Sequence, residues 1–94
     1  MRPLVITPKF NRVYRKLGKR NPKLLTYVDD ALRTMETDVF ASTLGTHKLS
    51  GTLLGFWACS CGYDCRIVFS IEIDEKTGHE IILLLDIGTH DEVY

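Results

Sequence analysis

The apolar positions of this chain recur with a helical period in its first part and with a strand period in its last. Leu4-Val5-Ile6-Thr7 is a short β-branched run closed by Pro8 and predicts a strand. Thr7-Pro8 then has the form of an N-cap followed by proline in the first helical turn. Phe10, Val13, Tyr14 and Leu17 fall at offsets 0, 3, 4 and 7, which is helical spacing, and Lys and Arg fill the other face. Gly18 predicts the end of this helix, since a residue without Cβ readily takes the left-handed C-cap. Asn21-Pro22 repeats the cap-then-proline pattern and opens a second helix, with the stripe Leu24 or Leu25, Val28, Leu32 and Met35 extending toward Val39. The two helices form an α-hairpin around Gly18-Lys19-Arg20.

From Phe40 to Gly51, Ser, Thr and Gly are frequent and predict a loop, with His47-Lys48-Leu49-Ser50-Gly51 near its end. Leu53 to Cys61 is apolar and aromatic and predicts a strand. Cys65 to Ile73 alternates, with Cys65, Ile67, Phe69, Ile71 and Ile73 on one face and Arg66, Val68, Ser70 and Glu72 on the other. Asp74 to Gly78 is a hairpin turn. Glu80 to Ile87 is nearly continuous in apolar residues, as a strand inside the sheet or covered on both faces would be. Gly88 to Tyr94 predicts a polar tail. The expected fold class is α+β, with an N-terminal strand and α-hairpin packed on a twisted, mostly antiparallel sheet in the order β-α-α-β-β-β.

Ninety-four residues, 45% of them hydrophobic, make a single domain spanning 1–94 and exclude a disordered chain. No apolar run approaches the roughly 20 residues of a membrane helix. Met1-Arg2-Pro3-Leu4-Val5-Ile6, broken by Pro8, is no secretory leader, so a cytoplasmic protein is expected. Cys59, Cys61 and Cys65 lie within seven residues. An odd count at such spacing is a poor disulfide framework, so free thiols acting as small apolar residues in a reducing compartment are expected. The spacing C-x-C-x3-C is also unusual for zinc, and neither metal nor other cofactor is expected. Net charge is zero, yet the halves differ: Met1 to Ser50 carries ten Lys or Arg against four acids, a net +6, and Gly51 to Tyr94 is −6. Lys9, Arg12, Arg15, Lys16, Lys19, Arg20 and Lys23 concentrate the positive charge. They fit either an anionic partner, nucleic acid or acidic protein, or a solvated helix face.

Cutting RNA without a metal needs a base for the 2′-hydroxyl, an acid for the departing 5′-oxygen, and cations for the phosphorane. Histidine serves the first two near neutral pH, and arginine grips phosphate oxygens with its planar fork. His47 lies in the loop before the sheet, and His90 lies just past the last strand. His79 follows a turn glycine and carries little weight. Arg66 interrupts an otherwise apolar strand and has Asp64 as a local partner, so it reads either as a phosphate ligand or as a surface residue.

Four segments, in this order, resemble the RelE/ParE superfamily of bacterial toxins, and its YafQ-like branch in particular. They are Pro8-Lys9-Phe10 opening the first helix, His47-Lys48-Leu49-Ser50-Gly51 followed by Gly55-Phe56-Trp57, Asp64-Cys65-Arg66-Ile67-Val68-Phe69, and the closing Gly88-Thr89-His90 with Tyr94. The resemblance implies a toxin that enters the ribosomal decoding site and cleaves mRNA there, neutralised by a cognate antitoxin protein. It implies a free monomer and a hetero-oligomer with that antitoxin. His90 matches the C-terminal general acid or base, His47 the histidine of the loop, Asp64 a strand-entry acid and Arg66 a phosphate-contacting arginine. Tyr94 falls where an aromatic stacks on a base, and Lys48 with Lys9, Arg12, Arg15, Lys16, Lys19 and Arg20 would contact mRNA and ribosomal RNA. Ser60 stands where YafQ-like proteins often carry a further histidine, which leaves His47 or Asp64 to take its proton-transfer role. Two other readings fit the same scaffold: a ParE-like inhibitor of DNA gyrase, and an inactive toxin that retains antitoxin binding.

Overall fold

Two capping side chains organise the helical half. In the computed structural model, which describes residues 2–94, strand β1 (Leu4–Ile6) turns directly into helix α1 (Pro8–Arg20). The Thr7 hydroxyl accepts from the Phe10 N–H and donates to the Leu84 carbonyl, so one side chain caps α1 and ties it to the sheet. Helix α1 does not stop at Gly18. It runs on to Arg20, because Asn21 serves both helices: its N–H donates to the Leu17 carbonyl and its side chain accepts from the Leu24 N–H of α2 (Pro22–Thr37). Helix α2 ends at Thr37 with Asp38 as its C-cap, short of Val39.

The remaining strands are β2 (His47–Lys48), β3 (Trp57–Ser60), β4 (Arg66–Ile73) and β5 (Glu80–Gly88), in a five-stranded sheet ordered β1-β5-β4-β3-β2. Only β1 with β5 is parallel. The expected α+β architecture holds, with β5 inside the sheet as its apolar run implies. Four further local expectations do not hold. The 40–51 segment contains β2 and a 3-10 turn (Ser42–Leu44) rather than loop alone. The strand expected from Leu53 is confined to Trp57–Ser60, because Gly51 (φ 66°) and Gly55 (φ 96°) bend the chain through a second 3-10 turn (Gly51–Leu53). The polar tail closes as a short helix, α3 (His90–Val93).

The cysteines give the fourth correction. Cys61 and Cys65 form a disulfide, with Cα atoms 4.9 Å apart, and only Cys59 is free. Gly62 (φ 89°) and Asp64 (φ 50°) fold the β3–β4 turn back tightly enough to bring the two together, which spacing alone does not reveal.

Cross-strand neighbours share a face, so register divides the sheet. The rows Cys59-Ile67-Ile87 and Trp57-Phe69-Leu84 face the helices. They pack with Phe10, Leu17, Val28 and Met35, all buried. Burying each such large side chain contributes about 1.5–3 kcal/mol. The rows Ser60-Arg66-Gly88 and His47-Ala58-Val68-Asp86 lie on the other face, which is open at His47, Ser60, Arg66 and Asp86 and covered over the buried Ala58 and Val68. Leu85 has no partner on β4, since Val68 pairs with Asp86 and Phe69 with Leu84, and this bulge bends β5 toward its end.

Candidate active site on the open face of the sheet

The site begins at the end of β5, where Gly88 lets the chain turn back on itself. A Cβ at Gly88 would lie 3.0 Å from Glu92 Cβ and 3.1 Å from Val93 Cγ1, so only glycine allows α3 to sit this close. Thr89 then starts α3 with a reciprocal capping box. Its hydroxyl accepts from the Glu92 N–H (3.2 Å) while its own N–H donates to Glu92 Oε1 (2.8 Å). The His90 N–H donates to Asp64 Oδ1 at 3.3 Å, pinning α3 to the β3–β4 turn. One helical turn on, Tyr94 stands edge-on to the His90 imidazole, with ring centroids 4.5 Å apart at 82°. His90 Nδ1 lies 3.6 Å from Asp91 Oδ1.

Burial pushes the Tyr94 phenol above its ordinary pKa, and the nearby Arg66 cation offsets part of that shift. The Tyr94 phenol is therefore neutral near pH 7. Arg66 is half-buried, and its guanidinium donates to the Cys65 carbonyl at 2.9 Å. The expected pairing with Asp64 does not form: among the described residues no carboxylate lies within 4 Å of Arg66. Asp64 is turned to the His90 N–H instead. Ser60, Gly62, Tyr63, Asp64 and Arg66 line a shallow depression of about 260 Å³.

His47 sits across the open face on β2. Its Nδ1 is 3.0 Å from the Gly45 carbonyl, so Nδ1 carries the proton and Nε2 is the nitrogen free to accept one. Three strand spacings and two residues separate its backbone from Gly88, about 16 Å. The structure thus brings His90, Asp64, Arg66 and Tyr94 together and leaves His47 on the far side of the same face. Lys48 lies over the Trp57 ring, 5.5 Å from its centroid. Lys9 is paired with Asp86 at 3.2 Å, while Arg12, Arg15, Lys16, Lys19 and Arg20 are exposed along α1. Among the described residues no group of three or more His, Cys, Asp or Glu could hold a metal ion.

Known structures share this arrangement of strands and helices. A YoeB/ParE toxin from Agrobacterium tumefaciens superposes with a TM-score of 0.76 at 17% identity, over 94% of this chain and 98% of that one. A toxin from Helicobacter pylori gives 0.71 at 22% identity over the whole of both chains. YafQ from E. coli in its DinJ–YafQ complex gives 0.76 at 12% identity, over all of this chain and 99% of that one. The chain has the fold of these toxins. No protein-family model matches the sequence, and no curated protein matches it either.

Sequence reasoning missed two parts of this toxin-fold site. The capping box was readable in Thr89-x-x-Glu92, but the polar run around it concealed a helix of one turn. The clipped turn carried no signal beyond the closeness of its cysteines.

Proposed function

We propose that this chain is the toxin of a toxin–antitoxin pair and an endoribonuclease acting on mRNA held by the ribosome. One observation carries the reading. The half-buried Arg66 has no carboxylate partner, yet it stands one strand from Gly88, where α3 begins and holds His90. A cation held this way is ready for an anionic oxygen such as phosphate.

In this reading the 2′-oxygen attacks phosphorus, the bond to the 5′-oxygen breaks, and the products end in a 2′,3′-cyclic phosphate and a 5′-hydroxyl. The Asp64 carboxylate, on the same side of the site, takes the 2′-hydroxyl proton, and the His90 imidazolium delivers a proton to the leaving oxygen. Arg66 neutralises the phosphorane, Tyr94 stacks on a base, Asp64 Oδ1 also holds the His90 backbone, and His47, across the face, meets the flanking RNA. The reaction as written needs no metal. The exposed cations of α1, with Lys48, meet ribosomal RNA or mRNA phosphates, and Lys9 joins them when it leaves Asp86. The DinJ–YafQ and YoeB–YefM complexes of the structural neighbours support a cognate antitoxin as the second partner, and the free toxin is read as a cytoplasmic monomer.

The test is incubation of the purified protein with mRNA-programmed ribosomes in EDTA. Cleavage inside the decoding site with 2′,3′-cyclic phosphate and 5′-hydroxyl ends is the expected result. Intact mRNA at stoichiometric protein overturns the reading.

A further inference from the structure

Tyr63 is 99% exposed, the most exposed large hydrophobic side chain among the described residues. An aromatic ring held wholly in water normally sits on a loop free to fold it down. Here the ring rides on a four-bond turn between β3 and β4 that is closed covalently by Cys61–Cys65 and bent by two left-handed residues, Gly62 and Asp64. The Cys61 N–H donates to the Cys65 carbonyl across its base, and Arg66 donates to that same carbonyl. Beneath the turn, a Cβ at Gly62 would lie 3.3 Å from the Tyr27 ring, so the turn rests directly on α2. The backbone at Tyr63 is thus held by the clip and by α2, and the ring moves only about its own side-chain bonds.

We propose that Tyr63 is a second base-stacking platform for the RNA substrate, presented by the disulfide-clipped turn on the rim of the Arg66 depression. The inference rests on the ribonuclease reading and extends it. Tyr63, Asp64 and Arg66 line the same depression as Ser60, and Asp64 leads to His90. A nucleotide whose phosphate meets Arg66 has its base within reach of Tyr63 on one side, while Tyr94 waits beside α3 on the other. Fixing the turn in advance removes the backbone ordering cost that a mobile loop would add on binding. A stacking contact is sequence-tolerant, so Tyr63 contributes affinity rather than base choice. The clip is part of the device. The platform is therefore redox-dependent, and the oxidised protein is the form that carries it. When a dithiol reductant, in the assay or in a reducing cytoplasm, becomes its own cyclic disulfide and leaves two protein thiols, the turn is free to move and the platform is lost.

The probe is a short fluorescent mRNA on ribosomes, carrying a 2′-O-methyl group at the decoding-site codon so that it cannot be cut. Tyr63→Ala and Tyr63→Leu are expected to weaken toxin binding on the order of tenfold, with Tyr63→Phe near the parent and all three melting alike. Cys61→Ser/Cys65→Ser is expected to weaken the parent similarly while leaving Tyr63→Ala unmoved, because the two changes act through one ring. Cleavable mRNA read in parallel separates the two levels of the argument. If Tyr63→Ala binds as the parent does while the parent still cuts, the platform is wrong and the ribonuclease reading stands. If the parent neither binds nor cuts, both fall.

Discussion

His90 and Arg66 are held by opposite means. His90 is fixed through its backbone, by Asp64 and by the Thr89–Glu92 capping box that starts its helix. Arg66 is fixed through its guanidinium to the Cys65 carbonyl, which leaves its remaining donors for a ligand. Arg66→Ala is expected to lower cleavage by about 10²-fold with little change in melting temperature. Arg66→Lys restores only part of it, since an ammonium lacks the planar fork; full activity in Arg66→Lys would refute a bidentate phosphate contact. Cys59 shows a different residue-scale effect. Burial pushes its thiol up to about 12, so at pH 8 the thiolate fraction is on the order of 10⁻⁴. Iodoacetamide should therefore leave Cys59 unmodified in the folded protein and label it on denaturation, as read by mass spectrometry. The folded pKa is raised. This thiol's contribution to stability is thus complete below the ordinary value of about 8.5 and lost as pH climbs toward 12.

At the scale of elements, glycines decide where chains end and where they approach. Gly18 lies inside α1, and a Cβ there would meet only the terminal Leu25 Cδ2, at 3.1 Å. Leu25 is half-buried and can yield by a few tenths of an ångström. Gly18→Ala should therefore gain about 0.5 kcal/mol from helix propensity, seen as a higher melting temperature. Gly88→Ala should do the reverse and hit function harder than stability. The added methyl pushes on Glu92 and Val93, tilts α3, and moves His90, so cleavage falls well before the far-ultraviolet circular dichroism changes. Helices α1 and α2 and strand β4 were legible from the period of their apolar residues, and β5 from a nearly continuous apolar run that fits a strand inside the sheet. Gly18 misled because Asn21, three residues later, satisfies the orphaned Leu17 carbonyl, and a cap competition of that kind is decided by geometry. The strand expected from Leu53 failed for a related reason, since left-handed Gly51 and Gly55 turn an apolar run into a 3-10 turn.

Across the whole molecule the two faces divide the work. The helix layer carries the exposed cations of α1, and the open face of the sheet carries His47, Ser60 and Arg66, with α3 bringing His90 and Tyr94 to its edge. Net neutrality does not weaken this arrangement, because binding to RNA follows local phosphate neutralisation rather than total charge. The fold class and the residues that gather at the end of β5 were readable from four ordered segments. The sheet order, the distance of His47 from His90, and the turning of Asp64 away from Arg66 were not, since each depends on contacts between distant segments. The most direct measurement is single-turnover cleavage of ribosome-bound mRNA in EDTA by the parent and by His90→Ala, with circular dichroism to confirm that both are folded. The account predicts that the folded His90→Ala protein is slower by about 10²–10⁴-fold; a folded His90→Ala protein that cuts at the parental rate would contradict it.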